Sequence, residues 1–119
     1  MAGRILIVHN DDYFASRVGA ALRAAGHTVT ISSAVVDALE KLDAMPPPDV
    51  LITRMRFEPG SPNGVSLANM AHHKHPRIKI VFTALREVQH EAAGLGTFLA
   101  EPVSIPALVA AVNDVLVGP

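Results

Sequence analysis

Short apolar runs rich in β-branched residues alternate along this chain with segments whose apolar positions recur at helical spacing, the pattern of a parallel sheet joined by crossover helices. Five runs predict strands, over residues 4–8, 28–32, 50–53, 79–83 and 97–100. Most are continuous, as in Ile5-Leu6-Ile7-Val8, which suits strands buried on both faces, whereas Thr28-Val29-Thr30-Ile31 alternates and suits an edge.

Five helices fit between and after them. The first carries the stripe Phe14, Val18, Leu22, Ala25 and stops at Gly26. The second carries Val35, Leu39 and Leu42 behind Ser33, a candidate N-cap. The third spans about 64–75 and ends before Pro76, whose ring disfavours helix in the residue before it. A short fourth covers about 86–93, ahead of Gly94-Leu95-Gly96. The fifth has Ser104 as cap, Pro106 in its first turn, the stripe Ile105, Leu108, Val109, Val112, Leu116, and Gly118-Pro119 as terminator. Two proline-rich stretches, Pro46-Pro47-Pro48 and the segment 57–63 with Pro59, Gly60 and Pro62, are too short to link domains, so residues 1–119 read as one domain.

Composition narrows the function. Half of the 119 residues are apolar, enough to bury a core without staples. The absence of cysteine removes disulfides, thiolate metal sites and thiol nucleophiles. A net charge of −1, scattered basic residues and few aromatics provide neither an electrostatic footprint nor a stacking platform for nucleic acid. No apolar run approaches the roughly 20 residues needed to cross a bilayer, and residues 1–4 offer no signal-peptide pattern, so no membrane association and a cytoplasmic location are the expectations.

In a sheet of this kind ligands sit beyond the carboxyl ends of the strands. Those ends carry His9, Asn10 and Asp11, then Arg54, then Thr83 and Ala84, then Glu101 and Pro102. No nucleophile with an obvious neighbouring base stands among them, and no catalytic residue is assigned; a histidine at a strand end is more often a structural hydrogen-bonder than a base for Thr83.

At these residues the chain resembles the receiver domains of two-component response regulators. The resemblance covers essentially the whole sequence and rests on Ile5-Leu6-Ile7-Val8 leading to a polar triplet, Ala25-Gly26-His27, and Pro48-Asp49-Val50-Leu51-Ile52. It rests further on Asn63-Gly64, Thr83-Ala84, Gly94 followed by Phe98-Leu99, and Glu101-Pro102. It implies an α/β, flavodoxin-like (βα)5 doubly wound parallel sheet with strand order 2-1-3-4-5. It also implies a signalling role with protein partners such as a histidine kinase, an output domain or another signalling protein, and it allows a homodimer.

The family's chemistry does not carry over residue by residue. Receivers place two acidic residues after the first strand to bind magnesium, and His9 and Asn10 stand there, with Asp11 next to them. The phosphoacceptor aspartate position, five residues after Asp49, is Arg54. The family's lysine before a cis proline is replaced by Glu101 before Pro102, while the switch positions carry Thr83 and Phe98. The loop from Arg54 to Gly64 is longer than usual in the family, and the span from Thr83 to Glu101 is shorter by about one helical turn.

The chain therefore reads as a pseudo-receiver, independent of phosphorylation, with no cofactor, no metal and no enzymatic activity expected. A phosphorelay receiver with an unusual acceptor and a small-ligand-binding regulatory domain are the alternatives, with a residual enzyme behind them. Exchanging the signs of the acceptor and lysine positions predicts an ion pair in reverse, with Arg54 within about 4 Å of Glu101 or, failing that, of Asp11. Asp11 or Asp12 is expected to cap the first helix. His72-His73-Lys74-His75 is expected to be a solvated helix end favoured by the macrodipole rather than a metal site, and Met45, Met55 and Met70 read as core or loop fillers.

Overall fold

The computed structural model describes residues 2–57 and 63–117. The elements run β1 (Arg4–Val8), α1 (Asp12–Ala24), β2 (Thr28–Ser32), α2 (Val35–Leu42), β3 (Val50–Arg54), α3 (Gly64–Lys74), β4 (Lys79–Ala84), a 3-10 helix (Arg86–Ala92), β5 (Thr97–Ala100) and α4 (Ile105–Val117). All strand pairings are parallel, and the order in the sheet is β2-β1-β3-β4-β5, the flavodoxin-like arrangement. The alternating strand, β2, lies at an edge. Among the described residues no helix is long and apolar enough to cross a membrane.

Strand residues alternate between two cores, since successive side chains leave a strand on opposite faces. Leu6, Val8, Leu51, Ile80 and Phe82 pack with α2 and α3, whereas Ile5, Ile7, Val50, Ile52 and Val81 pack with α1 and α4. Gly64 opens α3 where the chain crosses β3 closely: a Cβ there would lie 1.8 Å from the Arg54 carbonyl oxygen. Only glycine fits that approach.

Several local expectations need correction. Ala34, not Ser33, is the N-cap of α2, and no side chain caps that helix, so its start is set by the buried Val35, Ala38 and Leu42. Ala25 does not continue the apolar stripe of α1; it is the exposed C-cap, because the helix ends before the stripe comes round again. The fourth helical segment is 3-10, held by bonds three residues apart such as Val88 N–H to Leu85 O. Strands β3 and β4 each run one residue further than expected, to Arg54 and Ala84, and so carry the strand-end residues in the ladder itself. Met55 is fully buried, but Met45 and Met70 are exposed. The expectations for the 57–63 loop at Pro59, Gly60 and Pro62, and for Gly118-Pro119, lie outside the described residues.

The His72 to His75 segment is not simply solvated. His72 Nε2 bonds the Ile78 carbonyl at 3.1 Å, His75 Nε2 bonds the Leu42 carbonyl at 2.6 Å, and Lys74 pairs with Asp43 at 2.7 Å. The C-terminal end of α3 is thereby tied to that of α2. No group of three or more His, Asp or Glu side chains among the described residues is placed to hold a metal ion.

Candidate functional site

The site is assembled by one phase of the strand alternation. His9 continues the alternation of Ile5 and Ile7, Arg54 that of Val50 and Ile52, Thr83 that of Val81, and Glu101 that of Leu99, and all of these apolar predecessors pack in the α1/α4 core. The polar residues continue that face past the edge of the core. Register then brings them side by side, with Arg54 opposite Thr83, and the Glu101 amide bonded to the Ala84 carbonyl at 2.8 Å.

Arg54 meets Glu101 with the planar fork that the sign reversal predicted. Its Nε donates to Oε2 at 2.9 Å and its Nη2 to Oε1 at 2.8 Å, while Nη1 donates to Asn10 Oδ1 at 3.0 Å. The two charged side chains are 30% and 16% exposed, so the pair is screened only in part. The hydrogen bond to Glu101 is the main cause raising the Arg54 pKa further above its ordinary value. The Glu101–Pro102 peptide bond is cis, as the resemblance implies; Met45–Pro46 is cis as well, which the sequence reading did not anticipate.

Asp11 serves another purpose. Its Oδ1 accepts from the Phe14 amide at 3.1 Å and caps α1, so Asp11 rather than Asp12 fills that role. The Asp11 amide in turn donates to His9 Nδ1 at 3.0 Å. His9 is 6% exposed and lies 5.0 Å, ring to ring, from Phe14. Burial, and then the nearby Arg54 charge, hold its pKa below the ordinary imidazole value. The neutral ring must carry its proton on Nε2, because Nδ1 is accepting.

Thr83 is 1% exposed, and its hydroxyl has no hydrogen-bond partner among the described residues. It lines a cavity of about 340 Å³ with His9, Asp11, Arg54, Glu101 and Pro102, closed on its apolar sides by Phe14, Leu85 and Val103. Phe98 does not join this group. It pairs with Phe82 and packs on the α2/α3 core, on the other face of the sheet. Of the residues singled out by sequence, His9, Asp11, Arg54, Thr83, Glu101 and Pro102 are brought together, with Asn10 joined through Arg54.

The sequence reading missed Leu85 and Val103 as walls, and placed Phe14 only in the core. Their positions just beyond β4, just beyond the Glu101-Pro102 turn and in the first turn of α1 were the available signal.

The donor set does not fit the magnesium ion that a typical receiver would hold. Magnesium needs oxygen ligands with room for waters, but the Glu101 oxygens and the Asn10 oxygen already accept from a guanidinium, and an Asp11 oxygen is engaged in a cap.

Solved structures similar to this chain include response regulator receiver domains. A response regulator receiver protein from Sinorhizobium medicae WSM419 is 25% identical with a TM-score of 0.84, over 97% of this chain and 94% of that one. A response regulator receiver domain protein from Clostridium thermocellum is 18% identical with a TM-score of 0.83, over 96% of this chain and 94% of that one. NtrX from Brucella abortus is 20% identical with a TM-score of 0.84 over 98% of this chain, which spans only 27% of NtrX. No protein-family model matches the chain, and no curated protein matches it.

Proposed function

We propose that this chain is a receiver-like module of two-component signalling that works through protein contacts without aspartyl phosphorylation. The observation that carries the reading is the bidentate Arg54–Glu101 pair at the two positions where the resemblance expects an acceptor carboxylate and a lysine. A guanidinium has no carboxylate oxygen to take a phosphoryl group, and here its fork is already closed on its neighbour. The pair ties the end of β3 to the turn after β5 and so fixes, by a hydrogen-bonded charge pair, a pocket that a receiver would rearrange on phosphorylation.

The similarity to receiver structures supports a signalling role, and partners of the kind receivers meet, a kinase, an output domain or another signalling protein, follow from it. The reading assigns no catalytic residue. Incubation with magnesium and acetyl phosphate, followed by intact-mass measurement, tests it directly: the mass stays unchanged. A hydroxylamine-labile gain of one phosphoryl group would overturn the proposal in favour of a relay receiver with an unusual acceptor.

A further inference from the structure

A pocket that had merely lost its chemistry would be expected to collapse or to satisfy its own polar groups. This one does neither. The cavity of about 340 Å³ falls in the range of small-molecule sites, roughly 300 to 1,000 Å³. The buried Thr83 hydroxyl is unpartnered among the described residues, which costs free energy unless something meets it. His9, whose Nδ1 accepts from the Asp11 amide, lines the same cavity, and as a neutral ring it carries a second hydrogen-bonding group, a donor, at Nε2. Two hydrogen-bonding groups thus stand over a wall formed by Phe14, Leu85 and Val103.

Charge selects the class of occupant. Glu101 and Asp11 give the cavity two carboxylates against the single guanidinium of Arg54, three of whose N–H groups are committed to Glu101 and Asn10. An anion would meet an excess of negative charge. A cation would meet Arg54 and the His9 Nε2–H, which can only donate while the ring is neutral. An acceptor without charge suits both donors.

We propose that this cavity is an input site for an uncharged small molecule that presents a hydrogen-bond acceptor, such as an amide carbonyl, to His9 and Thr83 and an apolar body to the Phe14, Leu85 and Val103 wall. The inference rests on the reading that no phosphoryl group enters this pocket, and it gives the module a signal to replace one. Occupancy links the ends of β1 and β4 to Leu85, which leads into the 3-10 helix, so the ligand acts on the segment whose length departs most from the receivers'.

Three isosteric planar probes test it: benzamide, benzoate and benzamidine, titrated into the isotopically labelled protein and followed by NMR. Benzamide gives saturable shifts at His9, Thr83, Leu85 and Val103, and each charged probe binds at least about tenfold more weakly, a difference of about 1.4 kcal/mol. The near-isosteric Thr83→Val variant, which keeps the fold, weakens benzamide about fivefold, as loss of one hydrogen bond does. Benzoate or benzamidine binding as tightly as benzamide, an unchanged affinity in Thr83→Val, or no saturable shift at these residues with any probe would overturn the proposal. A parallel sample given acetyl phosphate separates the two ideas, since a phosphoryl mass gain counts against the functional reading whatever benzamide does.

Discussion

The two ends of the sheet handle their polar groups differently. At the amino ends of the strands the buried His27 is fully used: Nδ1 accepts from the Gly3 amide at 3.0 Å, and Nε2 donates to Asn113 Oδ1 at 3.0 Å. Beside it Asp49 Oδ2 accepts from the Arg4 amide at 2.8 Å, and Arg23 Nη2 donates to the Val29 carbonyl at 3.1 Å. At the carboxyl ends the Ser32 and Thr83 hydroxyls are buried without partners among the described residues, and Thr83 lines the cavity that the Arg54–Glu101 pair also borders. Buried polar groups are nearly always satisfied in a native scaffold, so exceptions gathered at one end mark where folding was not the only requirement. One end reads as scaffold, and the other as the candidate site.

The largest effect is expected where the two ends depend on the same backbone. Gly64→Ala places a methyl group against the Arg54 carbonyl, which no side-chain movement relieves, and should destabilise by about 3 kcal/mol or more in urea unfolding. A loss below about 1 kcal/mol would mean that β3 and α3 adjust freely and that the strand end is not rigid.

His27→Ala comes next. It strands the Gly3 amide and the Asn113 side chain at the scaffold end and should cost about 2 kcal/mol. At the site end the matching change, Thr83→Val, removes a hydroxyl without a hydrogen-bond partner among the described residues and should leave stability within about 0.5 kcal/mol or raise it. Equal losses from these two substitutions would erase the distinction between the ends.

Much of this was legible in the chain. Continuous β-branched runs such as Ile5-Leu6-Ile7-Val8 and Val50-Leu51-Ile52 suit buried strands, and once their phase is known the strand-end residues His9, Arg54, Thr83 and Glu101 fall on one face. The Arg54–Glu101 contact, with Asp11 as the alternative partner, followed from the resemblance together with charge, because the two positions that a receiver sets against one another had both changed sign. Other features depend on tertiary detail. The Asn10 bond to Arg54 requires knowing which way the third N–H group of the fork turns. The uncapped start of α2 reflects tertiary packing prevailing over a plausible Ser33 cap. His27 follows Gly26 at the end of α1, and nothing local indicates that α4 brings Asn113 to meet it from 86 residues away. The cavity is the least legible feature, since it is defined by what Phe14, Leu85 and Val103 leave unfilled.

A smaller effect is expected from pH. Burial, and then Arg54, hold the folded His9 pKa below the ordinary imidazole value, so as pH falls through about 6.5 the unfolded chain takes up a proton at this residue before the folded one does. The His9 contribution to stability is therefore present above about pH 6.5 and declines toward the lower, folded pKa. Stability measured over this range should slope upward with pH more steeply in the natural protein than in His9→Asn, whose side chain can still accept from the Asp11 amide. Identical slopes would show that His9 is not held neutral.

The claim that an Arg54–Glu101 pair takes the place of the missing chemistry is tested most directly by a double-mutant cycle. Unfolding free energies of the natural protein, Arg54→Ala, Glu101→Ala and the double variant should give a coupling of about 1 kcal/mol or somewhat more, as fits a bidentate pair that is partly exposed, with the coupling falling as salt is raised. Losses that simply add, with no coupling at low salt, would contradict the account and leave the two side chains as neighbours that hold nothing.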